Sequence, residues 1–259
     1  MTYKVKDFYD AINTLAPFSL ALKWDNSGLL LGSGDMPVKR ALAALDATRA
    51  VIEEAKALGA QLLITHHPVI FEPLRSIVAS SPVWEAIRAG LAVISAHTCL
   101  DIARGGVNDA LAKRLGLNNI EALSLGEADS CPEGMGRIGE LPRALSPAEL
   151  AGHVKESLCA AGLKYVPGAE NISRVALCGG AGADYIGEAI SAGAKALVTA
   201  DCRHHQLLEA KGKGFTLIDA GHYATEAVVL PFFAAALRNI LPGAEIIQAK
   251  SCADPASYL

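Results

Sequence analysis

Residues 40–65 read RALAALDATRAVIEEAKALGAQLLIT, and residues 174–199 read RVALCGGAGADYIGEAISAGAKALVT. Each runs from a short apolar stretch through a helical one to a Gly-Ala pair, then to a second apolar stretch ending in threonine. At a constant offset of 134, Arg40 meets Arg174, Glu54–Ala55 meets Glu188–Ala189, Gly59–Ala60 meets Gly193–Ala194 and Thr65 meets Thr199. A second match follows in the same order, GLAVISAH (90–97) against GFTLIDAGH (214–222), at an offset of 124. Either match alone arises by chance between βαβ units; the two in sequence read as an internal duplication.

In the first copy, RALAALD (40–46), QLLITH (61–66) and LAVISAH (91–97) are the expected strands, and RAVIEEAKALGA (49–60) is a helix that stops at Gly59. Alternating strand and helix predicts parallel strands joined by crossover helices. The expected fold class is therefore α/β, with two similar halves, each a mostly parallel sheet with flanking helices. The halves are expected at residues 1–125 and 126–259. Their join falls near 124–147, SLGEADSCPEGMGRIGELPRALSP, rich in Gly, Pro and acidic residues. SPAEL (146–150) then supplies Ser at the N-cap, Pro at N1 and Glu at N3, a helix start.

Composition narrows the partners. The chain has 259 residues, 51% apolar and 19% charged, so it can bury a substantial core. A net charge of −4 and 5% aromatics argue against a nucleic-acid surface, which is normally basic and rich in stacking rings. MTYKVKDFYDAINTL (1–15) lacks the apolar core of a secretory signal, and AVVLPFFAAAL (227–237) is too short to span a bilayer. Cysteines 99, 131, 159, 178, 202 and 252 form no C-x-x-C pair. They read as reduced thiols in a cytoplasmic protein rather than as zinc ligands or a disulfide framework.

Three expected strand ends carry histidine: His66–His67, then HTCLD (97–101) with His97 and Asp101, then GHYATE (221–226) with His222 and Glu226. Functional residues of such sheets gather at the carboxyl ends of strands. Neighbouring residues in a strand point to opposite faces, so His66 and His67 converge only if the strand has ended, and Pro68 opposes its continuation. His222 and Glu226, four apart, share one face of a helical turn. Singly, each histidine reads as a hydrogen-bonded loop residue; together with two carboxylates they read as metal ligands. Imidazole with carboxylate suits zinc, iron, manganese, cobalt or nickel better than calcium or magnesium. The ligand number exceeds one tetrahedral site and fits two divalent ions with a bridging carboxylate. Two such ions less Asp101 and Glu226 leave about +2, which would attract an anionic substrate and lower the pKa of bound water.

WDNSGLLLG (24–32), ITHHPVIF (64–71), HTCLDIARGGVNDALA (97–112), GMGRIGEL (134–141), TADCRHH (199–205) and GHYATE (221–226) together resemble, in order and spacing, the NIF-three-like family, also called the GTP cyclohydrolase 1 type 2 family. The resemblance covers nearly the whole chain, which looks like the short form without an inserted domain. It implies two intertwined α/β halves, with the C-terminal helix packing back on the first, a dinuclear metal centre and a toroidal homohexamer. It places the metal ligands on His66, His67, Asp101, His222 and Glu226, with His97 a near neighbour. One departure is Thr199–Ala200–Asp201, where the family reads T-G-D; another is His204, where it usually has an aromatic residue. His205 falls on a conserved family position and is expected to line the pocket. Asp201, Cys202, His204 and His205 also admit a second metal site or a structural role.

Weaker signals leave alternatives open. CGGAGAD (178–184) reads as an anion-holding turn or simply a tight one. Asn108 and Asp109 read as structural, and Trp24–Asp25–Asn26 reads as core plus turn, whereas the family resemblance implies a place near the pocket. No G-x-S-x-G nucleophile elbow is present. The expected function is a dinuclear-metal hydrolase of a nucleotide-like or other phosphorylated small molecule, with His97 or His205 as general acid or base. Ring-opening hydrolysis of the GTP cyclohydrolase type is implied by the resemblance alone. A non-catalytic metal-holding, metal-delivering or scaffold protein is the alternative on the same ligands. An anionic small molecule and further copies of the chain are the expected partners, with neither membrane nor nucleic acid.

Overall fold

The structure is a computed structural model that describes residues 2–79, 81–123, 134–168 and 171–259. It is a mixed α/β architecture divided into two compact units. One comprises Met1–Gly106 with Leu230–Ala253, the other Val107–Val229 with Asp254–Leu259.

In the first unit the five-stranded sheet runs Glu245–Gln248, Arg40–Ala44, Leu62–Thr65, Ala92–Ser95, Gly28–Leu31. The first four strands are parallel and Gly28–Leu31 is antiparallel. Strands Leu62–Thr65 and Ala92–Ser95 are buried at every position, as expected when helices cover both faces of a parallel sheet. The helix Arg49–Ala57 starts at Thr48, whose hydroxyl accepts from the Val51 amide, and the chain turns at Gly59 with φ +63°.

In the second unit the six-stranded sheet runs Asn118–Leu123, Gly136–Leu145, Ile172–Leu177, Ala196–Thr199, Thr216–Asp219, Lys164–Val166. The three successive strands Ile172–Leu177, Ala196–Thr199 and Thr216–Asp219 are parallel; the others pair antiparallel. The helix Pro147–Leu158 begins at the expected capping box, Ser146 and Glu149 bonding reciprocally.

The duplication extends to strand register. Ala41 faces Leu62 and Val175 faces Ala196, the offset of 134; Leu62 faces Ala92 and Ala196 faces Thr216, the offset of 124 for the third strand.

The linear division at 125/126 differs from the observed one. The chain enters the second unit after Gly106, because Asn118–Leu123 pairs with Gly136–Leu145 in the second sheet. It returns at Leu230 because Glu245–Gln248 pairs with Arg40–Ala44 in the first. The join expected near 124–147 is also corrected. Residues 124–133 lie outside the described residues, but Gly136–Leu145 is a ten-residue strand, not a linker. Its glycines serve close packing: a Cβ at Gly139 would stand 2.9 Å from the Asn118 carbonyl oxygen. Among the described residues no helix is long and apolar enough to cross a membrane. None of the five described cysteines is in a disulfide, and Cys131 lies outside the described residues.

Candidate metal-binding site

In the first unit, the strand Leu62–Thr65 ends just before His66, yet the backbone continues to pair: the His66 amide donates to Ala44 and the His67 amide to Leu45. Pro68, which has no amide to offer, follows. His97 stands just beyond the neighbouring strand, and Asp101 lies in the short helix Thr98–Ile102. The ring centroids of His66, His67 and His97 are 4.9, 5.2 and 5.5 Å apart, and one nitrogen from each lies within 4.8 Å of the other two. His66 Nε2 is 3.5 Å from Asp101 Oδ1, and both residues are buried. The structure therefore gathers His66, His67, His97 and Asp101, and His97 belongs to the histidine group itself.

What surrounds the rings fixes their tautomers. His66 Nδ1 is 2.9 Å from the Ala96 carbonyl oxygen, His67 Nδ1 2.8 Å from Asp46 Oδ1, and His97 Nδ1 2.8 Å from Asp25 Oδ1. Carbonyls and ionised carboxylates only accept, so Nδ1 carries the hydrogen and the lone pair of a neutral ring sits on Nε2. Such an outer acceptor is the usual companion of a metal-ligating imidazole. Burial would raise the Asp25 carboxyl, but hydrogen bonds from His97, Thr98 and Ser27 outweigh it and hold Asp25 well below the usual carboxylate range.

In the second unit, His222 and Glu226 occupy one face of the helix His222–Glu226, with Nε2 3.1 Å from Oε1. Asp201 Oδ2 lies 2.7 Å from His222 Nδ1, the same outer carboxylate seen around His67 and His97. The hydrogen bond to Glu226, and then the Asp201 carboxylate, push the His222 pKa up to about 9 against desolvation. Gly180, at φ +63°, leaves room for the pair: a Cβ there would collide with Glu226 Oε1 and stand 3.2 Å from His222 Nε2. The turn that carries Gly180 is held by side-chain oxygens, Gly179 donating to Asn108, Gly180 to Thr225 and Gly182 to Thr199. Those bonds favour the tight-turn reading of CGGAGAD and the structural reading of Asn108. A cavity of about 870 Å³ in this unit reaches His222 and Asp201 and is lined also by Lys164, Tyr165, Tyr223 and Tyr258.

The remaining site expectations fare differently. His205 is exposed in the first turn of the helix His204–Gly212, and no group of three metal-capable side chains among the described residues includes it. Asp201 is engaged with His222, while burial pushes the Cys202 thiol up to about 12, so Asp201, Cys202, His204 and His205 do not make a second metal group. Burial likewise pushes Cys99 up to about 12, which keeps it a thiol at neutral pH. Sequence reasoning missed Asp46 and the buried supporting role of Asp25. Asp46 sits at the carboxyl end of a strand, the position that drew attention to the histidines.

The family profile described as Duf34/NIF3 (NGG1p interacting factor 3) matches residues 3–255. The chain belongs to the Duf34/NIF3 family. A Clostridium perfringens protein named GTP cyclohydrolase 1 type 2 homolog is 32% identical over 262 residues, covering 99% of this chain and 100% of its own length. The crystal structure of a Staphylococcus aureus hypothetical protein superposes with a TM-score of 0.92 at 29% identity, covering all of both chains. That of a Bacillus cereus protein related to NIF3 gives 0.92 at 25% identity, covering 100% of this chain and 99% of the other. These likenesses carry the NIF3 fold across the whole chain.

Proposed function

We propose that this NIF3-family chain is a metal-dependent hydrolase of a phosphorylated, nucleotide-like small molecule, with two divalent transition-metal ions held by His66, His67, Asp101, His222 and Glu226. The observation that carries this reading is the uniform second layer. His66, His67, His97 and His222 each present Nδ1 to an acceptor, which aims the Nε2 lone pair of the neutral ring at a ligand. Zinc, iron, manganese, cobalt or nickel fit this donor set of imidazole and carboxylate. When bound, two such ions supply positive charge for an anionic substrate and a lowered pKa for water.

The chain's own residues do the rest. Asp46, Asp25 and Asp201 orient the rings and stabilise their ligating tautomer. His97, anchored by Asp25, serves as ligand or as the group that moves a proton, and His205 is the alternative proton carrier. Lys164, 3.2 Å from Asp219 at the wall of the 870 Å³ cavity, supplies a cation toward the substrate. Ring-opening hydrolysis of the GTP cyclohydrolase type is the specific reaction that the relatives' name suggests. We further propose that the protein acts in the cytoplasm as a toroidal homohexamer.

The test is turnover by metal-reconstituted protein across nucleotides and phosphoesters, beside His66→Ala and Glu226→Ala. Turnover by wild type that both substitutions abolish supports the hydrolase. Bound metal with no turnover of any substrate contradicts it and leaves the metal-holding alternative. Light scattering that shows a monomer contradicts the hexamer.

A further inference from the structure

The WDN stretch finds its role in an unexpected distribution of burial. Asp25 is the buried member, while Trp24 is 58% exposed and so is not core. Phe71, on the loop after His67, is 50% exposed. In a chain with only two tryptophans and 5% aromatics, these two rings stand together at the surface, centroids 5.9 Å apart with planes tilted by 54°. Both also border the histidine group: the His97 ring is 5.9 Å from Trp24 and 6.1 Å from Phe71, edge-on to each.

The two segments that carry them are fixed. Asp25 accepts from His97 Nδ1, the Thr98 amide and hydroxyl and the Ser27 hydroxyl, which anchors the residue after Trp24. Asn26 Nδ2 donates to the Ile70 carbonyl, which ties that segment to the residue before Phe71. A large aromatic face held rigid while exposed gives contact area at little ordering cost, the property of a binding surface rather than of a core.

We propose that Trp24 and Phe71 form a platform on which the planar heteroaromatic ring of a nucleotide-like ligand stacks, while the ligand's anionic portion is directed to the neighbouring histidine group. This rests on the small-molecule reading of that group and adds the ring as the recognised element. An aromatic face accepts any base, so the platform selects for the presence of a ring rather than for one base. Leu74, Ile77 and Val78, also exposed on the loop after His67, make contact with a second copy of the chain the competing use of this surface.

Trp84→Phe leaves Trp24 as the sole tryptophan and a direct reporter. Titrating this variant with guanosine and adenosine 5′-monophosphates should quench its fluorescence saturably, while ribose 5-phosphate should not. By calorimetry, Trp24→Ala and Phe71→Ala should each weaken nucleotide binding by about 5-fold or more and leave ribose 5-phosphate unchanged, with Trp24→Phe intermediate. Circular dichroism checks that each variant is folded. Equal affinity for nucleotides and ribose 5-phosphate, or no quenching, overturns the platform. So does a Trp24→Ala protein whose mass in solution falls while nucleotide binding persists, which assigns the patch to contact between copies. Binding is read without turnover, so quenching by an inactive protein contradicts the hydrolase and spares the platform; turnover without preference for the ring does the reverse.

Discussion

The equivalent strand ends of the two halves share strand register but differ in local backbone and in chemistry, Gly180 and Asp201 having positive φ where Asp46 and His67 do not. At the offset of 134, His66 corresponds to Ala200, His67 to Asp201 and Asp46 to Gly180. In the first half the second residue beyond the strand Leu62–Thr65 is an imidazole, His67, and the second residue beyond the strand Arg40–Ala44 is its carboxylate support, Asp46. In the second half the imidazole's position holds a carboxylate, Asp201, that supports His222 from the following helix. The position equivalent to Asp46 is glycine, and Glu226 fills the space that a Cβ there would need. The register is kept, while imidazole and supporting carboxylate sit at different positions in the two halves.

The sharpest way to break this symmetry is Gly180→Ala. The new methyl would meet Glu226 Oε1 in a backbone at φ +63°, so the variant should lose metal bound through Glu226 and about 1–3 kcal/mol of stability, read by metal titration and urea unfolding. Asp46→Gly, which makes the first half resemble the second at this position, should keep the fold but weaken metal binding. If Gly180→Ala binds metal as wild type does, Gly180 is a turn residue only.

Next come the supporting carboxylates. Asp201→Asn and Asp46→Asn should each lower metal affinity on the order of 10- to 100-fold, measured by competition with a chelating dye. Equal losses would mean that the two halves support their imidazoles alike despite the different positions; no loss in either would remove the outer layer from the account.

A smaller effect is pH-dependent. His222, with a pKa raised to about 9, holds a proton at neutral pH in the metal-free protein, and a metal must displace it. Metal affinity should therefore rise as pH rises toward about 9, with about one proton released at this residue. The raised pKa also stabilises the metal-free fold below the unfolded value of 6.5, a contribution lost as pH climbs through about 9. The melting temperature of metal-free protein should accordingly fall over that window, and His222→Ala should flatten the fall. A slope unchanged in that variant would assign it to other groups.

The smallest effect concerns the helix starts. Thr48 caps the first-half helix, whereas its counterpart Gly182 donates its amide to the Thr199 hydroxyl in a turn without a side-chain cap. Thr48→Ala should cost about 1 kcal/mol in urea unfolding; a neutral substitution would show that packing alone holds that helix.

Much of this was readable in the sequence because both signals are local. Fully apolar strands, Gly-Ala pairs at matching positions and a capping box at Ser146 specify the βαβ units before any contact is known. The histidines stood out because imidazoles at strand ends are chemically conspicuous. The crossing of the chain between units was not legible, because it depends on which sheet accepts Asn118–Leu123 and Glu245–Gln248, a choice made by long-range pairing. The supporting carboxylates were hidden for a similar reason: Asp46 and His67 are 21 residues apart, and Asp25 and His97 are 72 apart. The glycines of the strand Gly136–Leu145 misled in the opposite sense, since they mark close packing where composition suggested a linker.

The most direct test of the metal centre is elemental analysis of purified protein after reconstitution with zinc or manganese and removal of excess metal. The account predicts about two divalent ions per chain in wild type, and fewer in both His66→Ala and Glu226→Ala, each of which retains its fold. Wild-type protein that emerges folded and without bound transition metal would contradict it.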